Sequence, residues 1–216
     1  MPAHFTPLSA DDTDIWAQIA IEYLASRGVD FSLYNFFISK GCKTPSEVKW
    51  HKRVICPCYR NGKLIFYQGR DLTGKSKLKY MNESSIHSNS VVLYGYDELL
   101  AKKESPLFIT EGIYDAISLN GVALIGNELS QRKIDVINTS VRKKVYIPDL
   151  CKTGLSPALA AIRAGWSLAL PEFGGCKDVN EAILKYGSFY VNMAIGKSIC
   201  SGFEAKIRAT QLCTGK

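Results

Sequence analysis

The sequence predicts an α/β protein: a mostly parallel sheet flanked by helices, preceded by a smaller mixed α+β basic subdomain. From Ser105 onward, short apolar runs alternate with stretches of helical periodicity, the pattern of parallel strands covered on both faces. Before Ser105 the strand-like runs are instead joined by tight turn signals, as in antiparallel hairpins. The net charge of +7 and pI near 9.0 supply the basic character.

The first part opens with a helix in which Ile15, Ile19 and Leu24 fall near helical spacing and Gly28 ends the run. A second short helix is expected over Ser32–Lys40, stopped by Gly41. Strands follow at Arg53–Tyr59 and Lys63–Arg70, joined by Arg60-Asn61-Gly62, whose Asn-Gly pair suits a two-residue turn. Val91–Tyr94 reads as a further strand and Asp97–Lys103 as a short helix. In the second part, strands are expected at Leu107–Thr110, Val122–Ile125, Val145–Pro148 and Ser167–Leu170. Helices are expected at Tyr114–Asn120, Gln131–Asn138, Pro157–Ala164 and Val179–Tyr186, and Phe189–Lys216 reads as partly helical. The implied domains are 1–104, 105–190 and a helical extension over 191–216.

A chain of 216 residues holds one large domain or two small ones. Its basic charge favours a polyanionic partner such as nucleic acid. No segment reaches the roughly 18 apolar residues of a membrane helix, and no basic-then-apolar leader opens the chain. No membrane partner is therefore expected. The seven cysteines are irregularly spaced, with no CxxC pair, which suits reduced thiols in a cytoplasmic compartment. Cys56-Pro57-Cys58 near His51 invites a zinc reading, but the spacing is too tight for an ordinary finger; packed thiols on a strand are expected.

The chemistry concentrates where strands end. The first strand of the alternating region runs into Glu111-Gly112, with Asp115 four residues after the glutamate. The third runs into Ile147-Pro148-Asp149, and Asp178 follows the fourth. In parallel sheets such residues meet at the carboxyl edge. Clustered acids repel one another unless a cation sits among them, and hard oxygen donors suit Mg²⁺ or Mn²⁺. The competing reading of Asp178 is a helix N-cap ahead of Val179-Asn180-Glu181. A separate stretch, Gly69 to Ser76, fits the phosphate-loop pattern GxxxxGK[ST]. No apolar helix start follows its Lys75-Ser76, so a hairpin turn is expected there.

Glu111-Gly112-x-x-Asp115, Ala123-Leu124-x-Gly126, Ile147-Pro148-Asp149 with Gly154, and Lys177-Asp178-Val179-Asn180-Glu181 resemble the Toprim domain in order and spacing. Upstream, Tyr23-Leu24-x-x-Arg27-Gly28, Arg53-Val54-Ile55-x-Pro57, Phe66-x-x-Gly69-Arg70, Lys79-Tyr80-Met81-Asn82 and Leu93-Tyr94-Gly95 resemble the basic subdomain of DnaG-type primases. The resemblance implies a core that synthesises RNA primers on single-stranded DNA from NTPs, with Mg²⁺ or Mn²⁺, in concert with a replicative helicase. By it, Glu111 is an acid/base or metal-binding carboxylate, and Asp115, Asp149 and Asp178 complete the metal set. Arg27, Arg70, Lys79 and Asn82 would line the groove for template and nucleotide. The setting would be the cytoplasm of a bacterium or a phage-infected cell.

The sequence departs from the family at three points. Cys151 stands where a second strand-end acid follows Asp149, and a thiol is a poor ligand for a hard ion. His87 is followed by Ser88 where a basic residue is expected. No cysteine precedes Cys42, so the family's zinc-binding module is expected to lie on another chain, or this to be an excised or divergent core. Two other readings use the same residues. A Toprim nuclease would direct the acids at water, and a binding module with weakened catalysis would follow from Cys151.

Overall fold

The computed structural model describes residues 1–40, 44–83, 91–126, 128–149 and 155–214. Cys42, His87, Ser88, Cys151 and Gly154 lie outside them. The chain separates into two compact units, Met1–Ser90 and Val91–Lys216.

The first unit is an antiparallel five-stranded sheet in sequence order: β1 (Phe5–Pro7), β2 (Phe37–Ser39), β3 (Arg53–Arg60), β4 (Lys63–Asp71) and β5 (Tyr80–Asn82). Helix α1 (Ile15–Ser26) starts at Asp14, whose carboxylate accepts from the Trp16 and Ala17 amides, and stops before Gly28 at φ 66°. Its buried face is Ala17, Ala20 and Leu24, whereas Ile15 is 65% exposed. Of the expected stripe only Leu24 is fully buried; alanines, not the two isoleucines, complete the buried face.

The helix expected over Ser32–Lys40 is not formed. A 3₁₀ turn, Phe31–Leu33, gives way to β2, where Ile38 pairs with both Thr6 and Val54. Phe36 and Ile38 are buried. Pairing on both sides outweighs local helical periodicity in so short a run. After the short helix α2 (Pro45–Val48), β3 and β4 turn at Asn61 (φ 51°) and Gly62 (φ 71°), the left-handed pair expected of Asn-Gly.

Cys56 and Cys58 are buried on β3, and burial pushes Cys58 up to about 12. These are packed thiols, as expected. Gly69 lies within β4, where a Cβ would stand 3.0 Å from the Trp50 ring. The following turn is tied by Asp71 to Thr73 and by Arg53 to Ser76 and Leu78, and no helix begins at Lys75-Ser76. The phosphate-loop pattern is a hairpin.

The second unit is a five-stranded sheet ordered β10-β9-β8-β6-β7. Its strands are β6 (Leu107–Thr110), β7 (Val122–Ala123), β8 (Lys144–Tyr146), β9 (Ser167–Ala169) and β10 (Ile199–Cys200). The first four are parallel, and β10 adds an antiparallel edge. Its helices are α3 (Tyr96–Leu100), α4 (Ile113–Leu119), α5 (Gln131–Asn138), α6 (Leu155–Arg163), α7 (Val179–Tyr186), α8 (Ser188–Ser198) and α9 (Gly202–Thr214).

The strand expected at Val91–Tyr94 shrinks to a bridge between Tyr94 and Ala123. Gly95 ends it at φ 86°, where any Cβ would lie 2.4 Å from the Gly121 carbonyl. Residues 91–104 fold with this unit: the buried Arg142 guanidinium binds the Glu98 carboxylate and the carbonyls of Ser105 and Pro106.

Candidate active site

Strands β6 and β8 are hydrogen-bonded neighbours, so their carboxyl ends deliver Glu111 and Asp149 side by side. Glu111 is 7% exposed, and its Oε1 accepts from the Tyr146 hydroxyl at 2.9 Å and the Asp149 amide at 3.2 Å. A buried carboxylate needs such partners, and the fully buried Tyr146 spends its hydroxyl the same way. Asp149 as a residue is exposed, yet its carboxyl sits in crowded surroundings. Desolvation first, then the charges of Glu111 and Asp178, push it up to about 6.

Asp178 caps α7, its Oδ1 accepting from the Glu181 amide at 2.8 Å. The cap reading of that residue is correct locally, and its charge still acts on Asp149. Asp115, in the first turn of α4, accepts from the Asn180 amide at 2.9 Å, while the Asn180 side chain donates to Ser118. These bonds stitch α4 to α7. Gly112 makes room, since a Cβ there would stand 2.7 Å from Asp115 Oδ2. A cleft of about 350 Å³ is lined by Thr110, Asp115, Asp149, Cys176, Lys177 and Asp178, among others. Glu111 does not line it.

The donors test the expected divalent ion. Carboxylate oxygens have the right hardness, and mutual repulsion at Asp149 is the charge that a cation would offset. Among the described residues, however, no three His, Cys, Asp or Glu side chains gather closely enough to hold one ion. The acids therefore fit an ion bound through one or two carboxylates and completed by water or phosphate oxygens, as Mg²⁺ commonly is.

At the same sheet edge, the turn after β7 passes through Ile125 at φ 52° and Gly126 at φ 106°. Lys133, on α5, holds it by donating to the carbonyls of Leu124 (2.7 Å) and Glu128 (2.9 Å); burial lowers the pKa of its ammonium. A β-branched residue at positive φ is costly and persists only where its surroundings enforce it.

The expected basic residues lie in the first unit. Arg70 stands 5.4 Å from the Tyr23 ring centroid and 4.9 Å from that of Tyr80, its neighbour across β4 and β5. Its Nε and Nη1 are buried without a hydrogen-bond partner, so two aromatic faces hold the guanidinium. Arg27 lies 6.0 Å from Tyr23. Lys79 and Asn82 are exposed on the same hairpin, Asn82 accepting from Gln68 at 2.8 Å.

No family model matches the chain. A DNA primase of Legionella pneumophila is 28% identical over 127 residues, which cover 54% of this chain and 22% of that protein. The chain thus spans about a fifth of this curated relative's length. The RNA polymerase domain of Mycobacterium tuberculosis primase DnaG matches with a TM-score of 0.71 at 18% identity, over 92% of this chain and 82% of that one. The chain has the fold of the DnaG primase catalytic core and is similar in sequence to a DNA primase over about half its length.

The E. coli primase catalytic core matches equally well, with a TM-score of 0.70 at 18% identity over 93% of this chain and 79% of that one. So does a DnaG catalytic domain bound to single-stranded DNA, with a TM-score of 0.70 over 93% and 77%. Within this DnaG-like core, sequence reasoning missed Tyr146, Asn180 and Lys133. Tyr146 carried a signal: a polar-tipped aromatic inside an otherwise apolar strand must find a partner. Lys133 read as an ordinary helix residue, and Asn180 stood in the Lys177–Glu181 motif without a role of its own.

Proposed function

We propose that this chain is a primase core that synthesises short RNA primers on single-stranded DNA by metal-dependent nucleotidyl transfer. The observation that carries it is the meeting of Glu111, Asp149 and Asp178 at the carboxyl edge of the parallel sheet, in a DnaG-core fold. In the reaction, a 3′-hydroxyl attacks the α-phosphate of the incoming NTP and pyrophosphate departs. Bound Mg²⁺ or Mn²⁺ would neutralise the triphosphate and the charge developing on it.

The chain's own contribution is placement. Asp149 and Asp178 offer carboxylate oxygens to the ion, while the Tyr146 hydroxyl and the Asp149 amide fix the Glu111 carboxylate. Asp115 orders the start of α7 by accepting from the Asn180 amide. In the first unit, Arg27, Arg70, Lys79 and Asn82 would take template phosphates and nucleotide, with tyrosine faces for bases. NTPs, the RNA primer and a replicative helicase would be its partners, in a bacterial or phage-infected cytoplasm.

The test is de novo primer synthesis on single-stranded template with NTPs and Mg²⁺ or Mn²⁺. Glu111→Ala is expected to lower product at least about 100-fold; equal yields from both proteins would sink the assignment. A second reading, a binding module with weakened catalysis, draws on Cys151 and on the absence of a three-ligand cluster among the described residues. Cys151→Asp discriminates: primer products gained only in that variant would favour it.

A further inference from the structure

Five cation–aromatic pairs lie among the described residues of the first unit. Three belong to the Tyr23, Arg70 and Tyr80 cluster already described. The other two sit elsewhere: Lys52 lies 4.8 Å from the Trp16 ring and Lys49 lies 5.6 Å from the Trp50 ring. His51 packs edge-on to Trp16 at 6.5 Å. The segment Lys49-Trp50-His51-Lys52-Arg53 contains no acid. His51 and Lys49 are exposed, and Trp16 and Lys52 are half-buried.

Helical geometry joins the two clusters. Trp16 and Tyr23 are seven residues apart and Arg27 follows four later, so all three fall on one stripe of α1 and its C-cap. At 1.5 Å per residue, Trp16 and Tyr23 stand about 10 Å apart along the axis. That is roughly three steps of a stacked strand. Aromatic faces and cations a few nucleotide steps apart suit a single strand: rings for bases, charges for phosphates.

Resting on the primase reading, we propose that the single-strand surface extends from Tyr23, Arg70 and Tyr80 along α1 to a second station, formed by Trp16, His51 and Lys52. The occupant is single-stranded DNA. A half-exposed ammonium over an indole is a weak pair. When the strand arrives, Lys52 turns to a phosphate and the Trp16 face takes a base.

Anisotropy titrations of the full chain with labelled dT2 and dT12 test this. The dinucleotide, one step long, fills the Arg70 station alone, and the dodecamer reaches both. Lys52→Gln is expected to weaken dT12 about fivefold and lower its salt slope by about 0.7, leaving dT2 unchanged. Trp16→Leu is expected to weaken dT12 about tenfold, and Trp16→Phe to recover most of that. Unaltered dT12 affinity in Lys52→Gln and Trp16→Leu proteins of wild-type Tm would overturn the extension. So would a wild-type chain without affinity for dT12, or an effect confined to rU12. Failure of the primase reading looks different: no primer products, yet the same length-dependent loss on dT12.

Discussion

Asp149 has its carboxyl pushed up to about 6 by desolvation, Glu111 and Asp178, against an ordinary value of 3.8. A carboxyl whose folded-state pKa is raised stabilises the fold when protonated. That contribution is fully present below about pH 4 and is lost as pH rises through about 6. In metal-free buffer, Asp149→Asn is therefore expected to match wild type near pH 4 and exceed it at pH 8. The gain, discounted for solvent screening of an exposed group, is about 1 kcal/mol, or ~2–4 °C in Tm. Thermal melts at the two pH values check it; a gain of equal size at pH 4 would contradict the origin assigned to the shift. Tyr146→Phe isolates the neighbouring contact, because it deletes only the hydroxyl that donates to buried Glu111. Its expected cost is about 1.5–3 kcal/mol, read as a lower urea midpoint with unchanged m-value.

Elements were legible where local pattern and final environment agree. The Asn61-Gly62 turn, the Val179–Tyr186 helix and strand Leu107–Thr110 were expected within a residue, because each carries its own start or stop signal. Strand β2 was not, since its pairing with β1 and β3 is non-local and invisible in a window around Phe37–Ser39. The acids Glu111, Asp149 and Asp178 were legible because strand ends place them, whereas Lys133 was hidden: its role lies in two carbonyls of a turn five to nine residues upstream. At this scale Lys133→Met is the informative change. It keeps the aliphatic stem and removes both hydrogen bonds holding Ile125 at positive φ. A loss of about 1–3 kcal/mol is expected, with faster amide exchange at Leu124–Gly126. Unchanged exchange there would show that the turn holds itself.

The molecule divides its chemistry between two compact units: carboxylates meet in Val91–Lys216, and stacked arginine and tyrosine gather in Met1–Ser90. A net charge of +7 suits a polyanion, and the proposed metal ion would enter against that excess, drawn by the local acid cluster. Ligands stabilise only what they bind in the folded state. Two ligands should thus leave separate footprints in hydrogen exchange. Mn²⁺ is expected to slow exchange around Glu111, Asp149 and Asp178 and to leave peptides of Met1–Ser90 unaltered. That effect should grow as pH rises through 6, since the ion competes with the proton on Asp149. A dT12 strand alone is expected to slow exchange in α1 and the β4–β5 hairpin. If Mn²⁺ protected the first unit as strongly as the second, or at pH 5 as strongly as at pH 8, the strand-end acids would not be where the ion binds.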